Sequence, residues 1–148
     1  MKYSVQPEHW LRGPVDQVPA LLQPAAHALL QMRAEVNSMM PGLPGEKLWV
    51  QPNGVAAPGF HLQHITGVID RLFTYAREET LSDAQMEWLS GEGKNKSLPV
   101  EELLNILNQQ VDKAIEQLKN TDAAALTDTR YVGRKRIPST VIGLLSHA

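Results

Sequence analysis

The stretch from Trp49 to Arg77 constrains this chain most. Pro52, Asn53-Gly54 and Pro58-Gly59 punctuate its first half, and each is a turn signal. The pattern changes at once after Pro58. Leu62, Ile65, Ile69, Leu72, Phe73 and Ala76 fall on one broad apolar arc at helical spacing, which predicts an amphipathic helix over about 59–77. His61, His64, Val68 and Tyr75 form the adjacent stripe, so both imidazoles are expected to flank the buried face. A helix with so wide an apolar face has to bury it against other elements, and the rest of the chain supplies them.

Residues 1–15 read as a lead-in, with Pro7, Gly13 and Pro14 opposing regular structure. Val18, Leu21, Leu22, Ala25, Leu29, Met32, Val36 and Met39 then step by three and four. Proline in a helix interior costs about 3 kcal/mol. Pro19 and Pro24 therefore divide this run into a short turn at about 15–22 and a main helix at about 24–40, which Pro41-Gly42-Leu43-Pro44-Gly45 ends. After the 59–77 helix, Ser82 and Gln85 form a capping box for a short extra helix at about 83–90, with Leu81 and Met86 as a staple. Gly91-Glu92-Gly93-Lys94-Asn95-Lys96 reads as an exposed loop. Val100, Leu103, Leu104, Leu107, Val111, Ala114, Ile115 and Leu118 make the near-heptad seam of a helix at about 98–119.

Residues 121–137 read as a connection with a basic part, Arg130 to Arg136, and Pro138 is expected to open a last helix. At about ten residues that helix is short beside its partners and reads as truncated. The expected fold is all-α, a single four-helix bundle over 1–148 with one extra short helix. Lys47 to Val50 is the one short strand candidate, and Met32, Met39 and Met40 read as core.

Composition narrows the function. The formal net charge is −2, so no global basic field draws the chain to nucleic acid or to anionic lipid. Gly133-Arg134-Lys135-Arg136 reads as a solvated loop rather than a phosphate site. With no cysteine there is no disulfide, no thiolate ligand and no cysteine nucleophile, which suits a reducing, cytoplasmic setting. No apolar run approaches the roughly 20 residues needed to span a bilayer, and the N-terminus has no apolar stretch of the signal-peptide kind.

Five histidines carry what chemistry the motifs suggest. His61 and His64 lie three apart on one helix face, so both rings can approach one point, and neutral imidazole is a common metal ligand. Taken alone, such a pair is more often structural. No histidine has a glutamate three residues before it, which disfavours the di-iron bundle pattern. His-Glu-x-x-His, Gly-x-Ser-x-Gly and nucleotide-binding glycine loops are missing as well. His147, in the last helix, reads either as a terminal surface residue or as facing the cavity of His64. His9 and His27 read as structural, and Trp49 and Phe60 as packing over the mouth of the bundle.

Two blocks carry a family resemblance. The first runs Leu48-Trp49-Val50-Gln51-Pro52-Asn53-Gly54 into Gly59-Phe60-His61-Leu62-Gln63-His64-Ile65, then Asp70 to Arg77, Leu81-Ser82 and Gln85. The second is Val132-Gly133-Arg134-Lys135 with Pro138 to His147. Together they resemble the DinB-like (YfiT-like) metalloenzyme superfamily, from about residue 15 onward. The resemblance implies a four-helix bundle holding one divalent metal, commonly nickel or zinc, on three histidines. One is at the position of His64, and the other two form a His-x-x-x-His in the last helix. That pair is not in this sequence; His147 stands about one turn before its position. The metal set expected here is His64, with His61 and His147 in support, and the metal is expected to be absent or weakly held in a chain lacking the pair. The resemblance also implies a homodimer and a hydrolase or thiol-dependent transferase acting on a small molecule. The alternative is a non-catalytic dimeric helical-bundle binding module.

Overall fold

A computed structural model describes residues 6–148. The expectations for residues 1–5, the start of the lead-in and the N-terminus compared with a signal peptide, lie outside the described residues. The chain is mostly helical, with α1 (Gln23–Met39), α2 (Gly45–Leu48), α3 (Pro58–Ala76), α4 (Asp83–Gly91), α5 (Val100–Lys119) and α6 (Val141–His147). Two short strands, β1 (Thr129–Val132) and β2 (Ile137–Thr140), stand between α5 and α6. They pair antiparallel, with Thr129 opposite Thr140 and Val132 opposite Ile137.

Local chemistry accounts for most of the boundaries. Pro24 sits in the first turn of α1, where its missing N–H costs nothing. The side chain of Gln23 fastens the preceding segment by accepting from Val15 N–H and donating to the carbonyls of Val15 and Val18. The capping box is formed: Ser82 Oγ accepts from Gln85 N–H at 3.2 Å, and Gln85 Oε1 accepts from Ser82 N–H at 2.9 Å. Glu101 and Glu102 in the first turn of α5, with Lys119 in its last, complement the helix dipole.

Helix α3 packs against α5 and α6, and α1 packs against the same two. Their shared core includes Leu22, Leu29, Leu62, Ile69, Phe73, Leu103, Leu107, Val111, Leu118, Leu144 and Leu145. The predicted faces of α3 and α5 are the buried ones. Leu21 and Met39, expected in the core, are instead 67% and 70% exposed. Leu21 belongs to a 3-10 turn, Ala20–Leu22, whose tighter winding takes it off the helical stripe. Met39 is the last residue of α1, beyond the packed face.

Three other expectations are corrected. The fold is mostly helical, as expected, but the connection after α5 folds into a two-stranded hairpin. Pro138 does not open a helix; it lies in β2, and α6 starts at Val141, where Thr140 Oγ1 caps it by accepting from Gly143 N–H at 3.1 Å. Lys47 belongs to the helical turn α2, not to a strand. The hairpin docks on α3 through Arg130, whose Nε donates to Ala76 O at 2.9 Å and so satisfies a carbonyl of the last helical turn. Among the described residues no helix is long and apolar enough to cross a membrane.

Candidate functional site

The site is built on one face of α3. Gln63, Gly67 and Arg71 follow at four-residue steps, and His64 stands beside the first. This face receives the segment that leaves α4. Gln63 is only 4% exposed and clamps the backbone of that segment. Its Oε1 accepts from Gly93 N–H at 2.8 Å, and its Nε2 donates to Lys94 O at 3.1 Å. Trp88 Nε1 donates to Gln63 O at 2.9 Å, which ties α4 to the same point.

The clamp carries Glu92 in between α3 and α4. Its side chain is 6% exposed, and each carboxylate oxygen has a partner: Arg71 Nη1 at 2.5 Å on Oε1, and His64 Nδ1 at 2.8 Å on Oε2. Gly67 makes the room. A Cβ at that position would lie 2.5 Å from Arg71 Nη1 and 2.9 Å from Trp88 Cδ1, and closer still to Glu92 Oε1. The smallest residue thus sits where a buried ion pair crosses the helix.

This arrangement sets the tautomer of the neutral His64 ring. A carboxylate oxygen only accepts, so Nδ1 carries the hydrogen, and the other nitrogen of the neutral imidazole, Nε2, holds a lone pair. Nε2 has no hydrogen-bond partner among the described residues. The ring is steadied on its face by Phe60, stacked at 5.1 Å between centroids with 13° between planes. His64 lines a cleft of about 420 Å³ with Ala25, Leu29 and Met32 of α1, Ile65, Val68 and Ile69 of α3, and Leu145 and His147 of α6. An imidazole with a fixed tautomer beside an apolar cleft can ligate a cation or accept a proton.

The model of the DinB superfamily matches residues 28–148. The chain belongs to the DinB superfamily. The match takes in the α3 face, the Glu92 segment, the hairpin and α6, and it leaves His9 and His27 outside. No curated protein and no solved structure matches the chain.

Within this DinB-superfamily chain, the residues expected at the site part company. His64 and His147 line one cleft. His61 does not line it; it is exposed, with its ring edge-on to Phe60 at 5.5 Å, so the expectation that both imidazoles flank the buried face holds for His64 alone. Phe60 therefore contacts both histidine rings, and Trp49 packs against Gly59, where a Cβ would lie 2.8 Å from its ring. Among the described residues no three His, Asp or Glu side chains converge as a metal-holding group. The chain thus fits one anchored imidazole donor with a second in the same cleft.

Glu92, Arg71 and Gln63 escaped the sequence reading. The segment Gly91 to Lys96 looked solvated, whereas Gly91 is buried and the Glu92 side chain nearly so. Gln63, Gly67 and Arg71 fall at four-residue steps, beside Thr66, Asp70 and Thr74, on a non-apolar stripe of the helix. That was the available signal.

Proposed function

We propose that this DinB-superfamily protein is a metal-dependent enzyme, a hydrolase or thiol-dependent transferase, on a four-helix bundle formed by α1, α3, α5 and α6. His64 is the anchored ligand through Nε2, and His147 is the second donor. The reading is carried by the wiring of His64: a buried carboxylate holds Nδ1–H and leaves Nε2 free beside an apolar cleft. Metal-ligating histidines commonly donate their other N–H to a carboxylate, which fixes the tautomer and raises the basicity of the ligating nitrogen. A divalent metal such as nickel or zinc would supply Lewis acidity, lowering the pKa of water or of a substrate thiol.

The chain's own residues do the rest. Arg71 neutralises Glu92, Glu92 and Phe60 orient the imidazole, and the apolar residues of α1 and α3 line the cleft beside it. The chain works as a homodimer, and exposed Trp10, Leu11 and Leu21 offer apolar surface for the contact.

Metal analysis of the purified protein tests the site. The native chain and His61→Ala are expected to take up nickel or zinc when it is supplied, and His64→Ala is expected to lose it. Equal metal in the native chain and in His64→Ala would overturn the assignment.

A further inference from the structure

A second and larger cleft lies at the other end of α3. Tyr75 is eleven residues beyond His64 on that helix, about 16 Å along its axis. The cleft measures about 660 Å³, against about 420 Å³ at His64, and lies between the α3–α4 connection, α4 and the tip of the hairpin. This volume falls in the range of small-molecule sites. Tyr75, Leu81, Met86 and Leu89 give it an apolar lining, and Met86 and Leu89 remain 38% and 40% exposed.

Its charges are separated by sign. Glu78, Glu79 and Asp83 come from the α3–α4 side, with Glu79 already paired to Arg77, and Arg134 and Arg136 come from the hairpin. Among the described residues the salt bridges are Arg33–Asp112, His64–Glu92, Arg71–Glu92, Arg77–Glu79 and Lys119–Glu116, so none crosses this cleft, and the four charges Glu78, Asp83, Arg134 and Arg136 enter none of them. Two of the four also stand in backbone conformations that L residues rarely adopt: Glu78 at φ +63° and Arg136 at φ +49°. Such positions cluster at ligand sites, where the surrounding structure holds them in place. Arg136 is further ordered by its guanidinium, 4.3 Å above the Tyr131 ring.

We propose that this cleft binds a zwitterionic small molecule of dipeptide size. Glu78 and Asp83 receive its ammonium group, Arg134 and Arg136 its carboxylate, and the apolar lining its side chains. A plain anion would meet the arginines but face two unpaired carboxylates in the same cleft, and a plain cation would meet the reverse. A neutral apolar molecule would strip water from four charges and return nothing to them. A molecule with opposite charges at its two ends satisfies both sides. The same reasoning separates the basic tip from nucleic acid, because the acidic side repels phosphate and the formal net charge is −2. The site is independent of any metal at His64.

The test is an amide-shift titration of the full chain with the dipeptide leucyl-phenylalanine, its N-acetyl form and its C-terminal amide. The unmodified dipeptide is expected to move the amides of Tyr75, Leu81, Met86 and Gly133, saturably and in the millimolar range or tighter. Each blocked form is expected to bind about tenfold more weakly, since each loses a charge-assisted contact. Arg136→Gln should weaken the dipeptide about tenfold yet leave the amide unchanged, and Glu78→Gln should do the same with respect to the N-acetyl form. His64→Ala should bind as the native chain does. Both charge variants are at exposed positions, and a retained thermal midpoint confirms that they fold. The absence of saturable shifts, or equal affinity for all three forms, overturns the proposal.

Discussion

Replacing Glu92 by glutamine removes one charge and almost no volume, yet it is expected to switch the tautomer of the neutral His64 ring. The guanidinium of Arg71 has only donors. It sits 2.5 Å from Oε1, so a glutamine at position 92 must turn its carbonyl oxygen toward Arg71 and its amide nitrogen toward His64. Nδ1, 2.8 Å from the other oxygen in the native chain, then faces a donor. It can remain bonded only by accepting, which moves the ring proton to Nε2. Both hydrogen bonds survive in number, but the one to His64 becomes neutral and the one to Arg71 keeps only the charge of its donor. At about 1.5–3 kcal/mol for a bond to a charged group against about 0.5–1.5 for a neutral one, the loss should be on the order of 1–3 kcal/mol. Arg71 is 11% exposed, which favours the upper half of that range; His64 is 45% exposed, which lowers its share.

Long-range nitrogen–proton correlation spectra of the imidazoles read the tautomer directly, and denaturant unfolding reads the stability. On the proposed role of His64 as a ligand, metal affinity should fall about 10–100-fold. A variant that keeps Nδ1–H on His64, with unchanged stability, would refute the claim that Glu92 sets this ring.

Three further outcomes follow from the same geometry. Gly67→Ala places a methyl group against Glu92 and Arg71. It should cost about 1–3 kcal/mol in denaturant unfolding, as overpacking does, with loss of the His64 tautomer preference. Gln63→Leu removes both bonds to the backbone of Gly93 and Lys94. Amide exchange should accelerate at Gly93 while the centre of α5 stays protected. His9 should titrate below the ordinary histidine value near 6.5, first because of burial and then because of Arg12, Arg33 and His27. A histidine whose pKa is lowered in the fold adds stability above its unfolded pKa, and that stability is lost as the pH falls below about 6.5 toward the folded value. Arg12→Gln should recover only part of the shift by NMR titration, because burial is the larger cause.

What the sequence revealed follows from how local each signal is. The seam of α5 and the arc of α3 were legible because eight and six apolar residues repeat at one period, and the tertiary structure buries the face they define. Ser82 and Gln85 were legible because a capping box lies within four residues. The hairpin was not. Its strands are four residues each, Pro138 occupies β2, and their position depends on Arg130 reaching Ala76, fifty-four residues earlier. The site divides in the same way. His64 could be singled out from its own helix, but Glu92 is twenty-eight residues away in a glycine-rich segment that on local grounds belongs in water. The clamp by Gln63, together with the pairs to Arg71 and His64, takes it out of solvent.

That clamp grips main-chain atoms alone, the Gly93 N–H and the Lys94 carbonyl. The identity of the side chain at Lys94 is therefore immaterial to where Glu92 sits, and exposed Lys94 and Asn95 can be replaced while the carboxylate stays in register, whereas Lys96 lies against Gly91 and Leu98 packs on the core. Gly93, at φ +84°, is a further exception, since a side chain there would be strained. For protein engineering this defines a graft point: a reporter or a recognition loop could be spliced in within a few residues of the imidazole, with the helical frame left as it is.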